Sequence, residues 1–143
     1  MRKDDVAVLK EVQKNTQMAM KAIDALSDKI YDDDMAIQIA RQSLKYSDIH
    51  NRATEKLVDA HAQIYKNSAI NDMMLAAGVK MNTLLNTSTS HIAELLIQGS
   101  NRGLTHMWKA MNMYPASQSV SIEIAKELMD FEEKNIERLK KFL

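Results

Sequence analysis

Gly99-Ser100-Asn101-Arg102-Gly103 decides the fold, because it reads either as a loop or as the middle of a long helix. Against the helix stand two glycines, each costing about 1 kcal/mol in a helix interior. In its favour, the apolar positions keep one register across the segment. Ile92, Leu95 and Leu96 lead into Gly99 and Gly103, and His106, Met107 and Ala110 continue at spacings of three and four until Pro115 closes the stretch. A continuous helix over 90–114 is therefore expected. Gly99 and Gly103 share a face, where missing side chains let another helix or a ligand approach the backbone. Close helix packing is the first reading of the pair and ligand approach the second.

The same periodicity extends in both directions. Downstream, 117–142 carries Ile124, Leu128, Phe131, Asn135, Leu139 and Phe142 on one stripe. Upstream, Asn86-Thr87-Ser88-Thr89-Ser90 bonds readily to its own backbone and so marks a turn and a new helix start. Before it, 70–85 holds Met73, Met74, Leu75, Val79, Met81, Leu84 and Leu85, a short apolar helix. A long helix over 35–65 is marked by Ala36, Ile39, Ser43, Tyr46, His50, Ala53, Leu57, Ala60 and Ile64, with Ser43 and His50 as polar members that need buried partners. The first helix, 5–30, shows Leu9, Val12, Thr16, Ala19, Ile23, Leu26 and Ile30 and is capped by Asp4. Asp32-Asp33-Asp34 supplies the next N-cap; it lacks the spaced ligands of a calcium loop. The expectation is an all-α single domain over 1–143, an up-and-down four-helix bundle with a short helical crossover between the second and third long helices.

Composition narrows the function. Three Gly and one Pro among 143 residues suit long helices, and zero net charge gives no basic field for nucleic acid. No apolar run reaches the roughly 20 residues that span a bilayer, and the charged N-terminus lacks a signal peptide's apolar core. A cytoplasmic protein is expected, with neither membrane nor nucleic acid as partner. The absence of cysteine excludes thiolate metal sites and thiol catalysis, and 11 methionines suit an adaptable core or contact surface.

Two long helices, an apolar connector and two more long helices form an order that resembles the ferritin-like bundle. Through Gly99-Ser100-Asn101-Arg102-Gly103-Leu104, and through Phe131-Glu132-Glu133 ahead of Leu139-Lys140-Lys141-Phe142-Leu143, the chain is similar to a group of small ferritin-like proteins of anaerobic bacteria. The resemblance spans nearly the whole chain and implies a fold rather than an activity. It also implies a test, since a di-metal centre on this fold needs Glu-x-x-His on two helices. The residues three before His50, His61, His91 and His106 are Ser47, Val58, Ser88 and Gly103, so the pattern survives only as Ser47-x-x-His50 and Glu132-x-x-Asn135. Gln13, Thr16, Gln17 and Asn101 offer neutral atoms where carboxylates would stand. No metal and no other cofactor is expected.

The residual polar seam comprises His50, His106, Glu132 and Asn135, with Gly99 and Gly103 beside it. His50, one turn after Tyr46, reads first as a core histidine satisfied by a hydrogen bond, whereas His106 is the better candidate for lining a pocket. His61 and His91 fall near helix ends and read as solvated. Glu132 beside Glu133 reads first as an ordinary salt-bridge residue served by Lys134 or Arg138. No phosphate loop, His-Glu-x-x-His or nucleophile elbow occurs, and Asp48 and His50 lie on different helix faces. The leading expectation is a non-catalytic bundle acting by association as a homodimer or with an unidentified protein. The alternative is a ligand- or single-metal-binding protein that uses the seam.

Overall fold

Four long helices form where the apolar stripes place them. The structure is a computed structural model that describes residues 1–66, 88–115 and 117–143, and among these there is no strand. Helix α1 spans Lys3–Leu26, α2 Asp33–Asp59, α3 Thr89–Met113 and α4 Ser119–Leu139. Segment 99–103 is helical within α3. The helix expected at 70–85 lies outside the described residues.

The start of α1 depends on Asp5 rather than Asp4. The Asp5 carboxylate accepts the Arg2 N–H at 3.2 Å and the Gln118 N–H at 2.6 Å. Gln118 is the N-cap of α4, so one carboxylate serves two helix starts and sets α1 and α4 parallel. Burial opposes ionisation of Asp5, but donors from Gln118, Ser121 and Arg2, with the Arg2 charge, outweigh it and hold the carboxyl below its ordinary value. Asp32 caps α2 by accepting the Met35 N–H at 2.8 Å, and Ser88 caps α3 by accepting the His91 N–H at 3.2 Å.

Helix α2 stops at Asp59, short of the expected 65. His61 turns left-handed at φ 55°, its N–H donates to the Val58 carbonyl at 3.0 Å, and the Ala62 N–H donates to Leu57 at 2.9 Å. This two-bond closure satisfies the last carbonyls and redirects the chain. The Tyr65 N–H then reaches Gln13 Oε1 on α1 at 2.8 Å.

Ile39, Tyr46, Ala53 and Leu57 are buried as expected on α2, but Met35, Gln42 and Ile49 replace Ala36, Ser43 and His50 on the inner face. Met35, Ile39, Gln42, Tyr46, Ile49, Ala53 and Leu57 face inward, while Ser43 and His50 lie half-buried on the flank. Turning Met35 and Ile49 inward buries more apolar surface than Ala36 and His50 would.

Helix α1 packs against all three others, and α2 packs on α1 and α4. The bonded pairs Gln13 with Thr54 and Tyr46 with Asn135 set α2 antiparallel to both α1 and α4. Helices α3 and α4 form the second antiparallel pair, so α2 and α3 run in the same direction. Val8, Leu9, Val12, Ile49, Leu57, Ile92, Met107 and Leu128 fill the centre, and Phe131 meets Tyr46 edge-on with centroids 4.9 Å apart. No described helix is long and apolar enough to cross a membrane.

Candidate functional site

Opposite turns of α1 and α3 leave a cavity of about 340 Å³, reaching inward to Gln42, Tyr46 and Glu132. Ala19, Ala22, Ile23, Leu26, Leu95 and Leu96 form its apolar wall, and Gln98, Gly99, Arg102 and His106 form its outer rim. Its size is that of small-molecule sites, roughly 300–1,000 Å³.

Two glycines hold this space open. Both lie within regular helix and neither has a positive φ, so the backbone does not require them. A Cβ at Gly99 would meet nothing within 4 Å, and one at Gly103 would make ordinary contacts with Glu132 Cδ at 3.7 Å and Asn15 Oδ1 at 3.8 Å. Close helix packing, the first reading of the pair, therefore fails at Gly99. The missing side chain faces open space at Gly99 and the Glu132 and Asn15 side chains at Gly103, with no neighbouring backbone at either.

Glu132 lies at the inner end and is 3% exposed. The salt bridge expected for it is absent: Lys134 pairs instead with Asp130 at 2.8 Å. Burial raises the Glu132 carboxyl to about 7, although hydrogen bonds to the Ser100 and Tyr46 hydroxyls pull the other way. Tyr46 in turn is raised by burial first, then by the Glu132 charge and hydrogen bond, with Ser100 and Asn135 opposing. Asn135 Nδ2 donates to the Tyr46 hydroxyl at 3.3 Å, which leaves the phenolic proton free to point at Glu132. Glu132 Oε2 and Asn135 Oδ1 are buried without a hydrogen-bond partner. Such orphaned atoms are rare and costly in a packed core.

Asn15 stands beside this carboxyl. Its Nδ2 donates to the Glu11 carbonyl at 2.8 Å, to Glu11 Oε1 at 3.1 Å and to Met107 Sδ at 3.5 Å. Those three acceptors fix the amide so that Oδ1 faces Gly103 and the cavity.

The structure thus brings Gly99, Gly103, His106 and Glu132 to one cavity, with Asn135 behind them at the Tyr46 hydroxyl. His50 lies outside it. Its Nδ1 is 2.9 Å from Thr16 Oγ1, and burial pushes its pKa down while the Gln13 carbonyl partly restores it. His61 is exposed, whereas His91 is half-buried, with Nδ1 3.5 Å from Glu94. Asn101 is exposed, and Ser100 takes the inner position expected of it. Among the described residues no three His, Asp or Glu side chains converge as a metal ion would need.

Asn15, Gln42, Tyr46 and Ser100 were not singled out as site residues by their sequence. One signal was available: Ser100 sits three before Gly103 and one after Gly99, on the inner side of the stripe they mark. Gln42 Nε2 is also without a partner, and Gln42 borders a second groove between α2 and α4 lined by Arg41, Lys45 and Arg138. No protein-family model matches the chain, nor does any curated protein or solved structure.

Proposed function

We propose that this chain is a non-catalytic binding protein for a small amphiphilic molecule, held between α1 and α3 with its polar head at Glu132. The observation that carries the reading is the buried Glu132 Oε2, left without a partner at the end of a largely apolar cavity. A ligand head that bonds to this oxygen repays a desolvation cost the fold alone leaves standing. The glycines support the same reading, because the helix gives up about 1 kcal/mol at each without gaining a packing contact at Gly99.

The test uses n-hexanol as a minimal amphiphile. Saturating hexanol should raise the melting temperature of the wild type, since occupancy at 100 times Kd adds about 2.7 kcal/mol. Gly99→Leu, which projects into the open space, should abolish that rise while remaining folded. An unchanged hexanol response in Gly99→Leu removes this cavity as the site.

Self-association is a second reading, supported by Ile37, Leu44 and Val58, which are 53%, 74% and 56% exposed on α2. Ile37 and Leu44 are seven residues apart, and Val58 continues their stripe. Light scattering showing a monomer at working concentration rejects the homodimer. The ferritin-like assignment is carried forward in the same way, supported by the shared direction of α2 and α3, and a cytoplasmic setting by the lack of cysteine.

A further inference from the structure

We infer that the molecule held in this cavity is an amine with an apolar body, bound ammonium-first; this rests on the binding reading above and specifies its ligand. The polar atoms around Glu132 are mainly acceptors. Glu132 Oε1 and Asn15 Oδ1 stand together beside Gly103, each 3.8 Å from where a Cβ would lie, and Glu132 Oε2 has no donor among the described residues; the Asn15 amide orientation is fixed by the three acceptors around Nδ2. The Ser100 and Tyr46 hydroxyls already serve Glu132, and Oε2 is left without a donor among the described residues.

Among the described residues no lysine or arginine reaches this carboxylate. Lys134 is held by Asp130, and Arg102 is exposed at the rim. A carboxylate placed in apolar surroundings gains most from a partner that brings both positive charge and N–H donors. An ammonium group supplies up to three such donors, enough for the Glu132 carboxylate and Asn15 Oδ1 together. An alcohol supplies one and no charge. The apolar body then lies along Ile23, Leu26, Leu95 and Leu96, and its outer end passes Gly99. Burial has already moved the Glu132 carboxyl to about 7, so pairing with a cation restores the ionised form at neutral pH.

Calorimetric titration at pH 8 with n-hexylamine, n-hexanol and hexyltrimethylammonium separates the two claims. Hexylamine should bind the wild type about tenfold or more tightly than hexanol, as expected for charge-assisted over neutral bonds. The quaternary ion lacks N–H donors and should fall behind hexylamine by a similar factor. Glu132→Gln should weaken hexylamine about tenfold or more while leaving hexanol within about threefold. If hexanol equals or exceeds hexylamine on the wild type, the amine assignment is overturned and the cavity reading stands. If the quaternary ion matches hexylamine, the hydrogen-bonded ammonium is wrong. If none of the three binds, both readings fall together.

Discussion

The two faces that α1 presents to its neighbours treat buried polar groups in opposite ways. Toward α2, Gln13 donates to Thr54 Oγ1 at 2.7 Å and accepts from the Tyr65 N–H, and Thr16 pairs with the Val12 carbonyl at 2.8 Å and with His50. Toward α3 and α4, Asn15 and Glu132 line a cavity, and Glu132 Oε2 has no partner among the described residues. The first face satisfies Gln13 and Thr16 in a polar network that fixes where α2 and the following chain lie, although Gln17 Oε1, one turn beyond Gln13, has no partner among the described residues. The second leaves one open, which lowers stability and creates a place for an outside molecule.

Removing Glu132 acidity should give the largest effect. A carboxyl at about 7 in the fold and 4.5 unfolded binds more protons when folded, so its stabilising share is full below pH 4.5 and is lost as pH rises through 7. Relative to Glu132→Gln, the wild type should therefore lose about 3 kcal/mol between pH 4 and pH 8. Parallel denaturation curves across that range check it, and a difference independent of pH would mean that the carboxyl is not buried as described.

On the closed face, Gln13→Leu should destabilise by about 1–3 kcal/mol, because it removes the acceptor of the Tyr65 N–H, while the Thr54 hydroxyl keeps the His50 carbonyl at 2.9 Å. Urea melts measure it. Stability at or above the wild type would erase the contrast between the faces.

A smaller change of opposite sign is expected on the open face. Gly99→Ala should stabilise by about 1 kcal/mol, since helix propensity improves and the new methyl meets nothing. Destabilisation there would reinstate helix packing as the reason for the glycine. His50→Leu should shift stability least, within about 0.5 kcal/mol, because Thr16 keeps the Val12 and Gln13 carbonyls as acceptors. A loss of several kcal/mol in thermal melts would show that His50 holds α1 to α2.

The helices were legible in the sequence because each apolar stripe is long and keeps one period through its helix. The site was legible only in part. Gly99, Gly103, His106 and Glu132 carry recognisable signals, two breakers in a helix and ionisable groups on or beside a stripe. Gln42 and Ile49 take the inner positions expected of Ser43 and His50, because which of two neighbouring residues at the edge of a stripe turns inward is decided by packing against α1 and α4 and not by spacing alone. Asn15 resisted sequence reading for another reason: its role depends on Met107, 92 residues away, and on which way its amide turns. The end of α2 was misplaced because Ala60 and Ile64 continue the stripe, whereas the left-handed turn at His61 is stabilised by contacts the spacing does not record.

The carboxyl carbon of Glu132, the buried group proposed to receive a cationic head, can be followed directly by 13C NMR through a pH titration. The free protein should show Glu132 titrating near 7, and saturating n-hexylamine should move that midpoint down by more than one unit as the ammonium stabilises the ionised form. A Glu132 midpoint near the ordinary 4.5, unchanged by hexylamine, would contradict both the buried carboxyl and its role in binding.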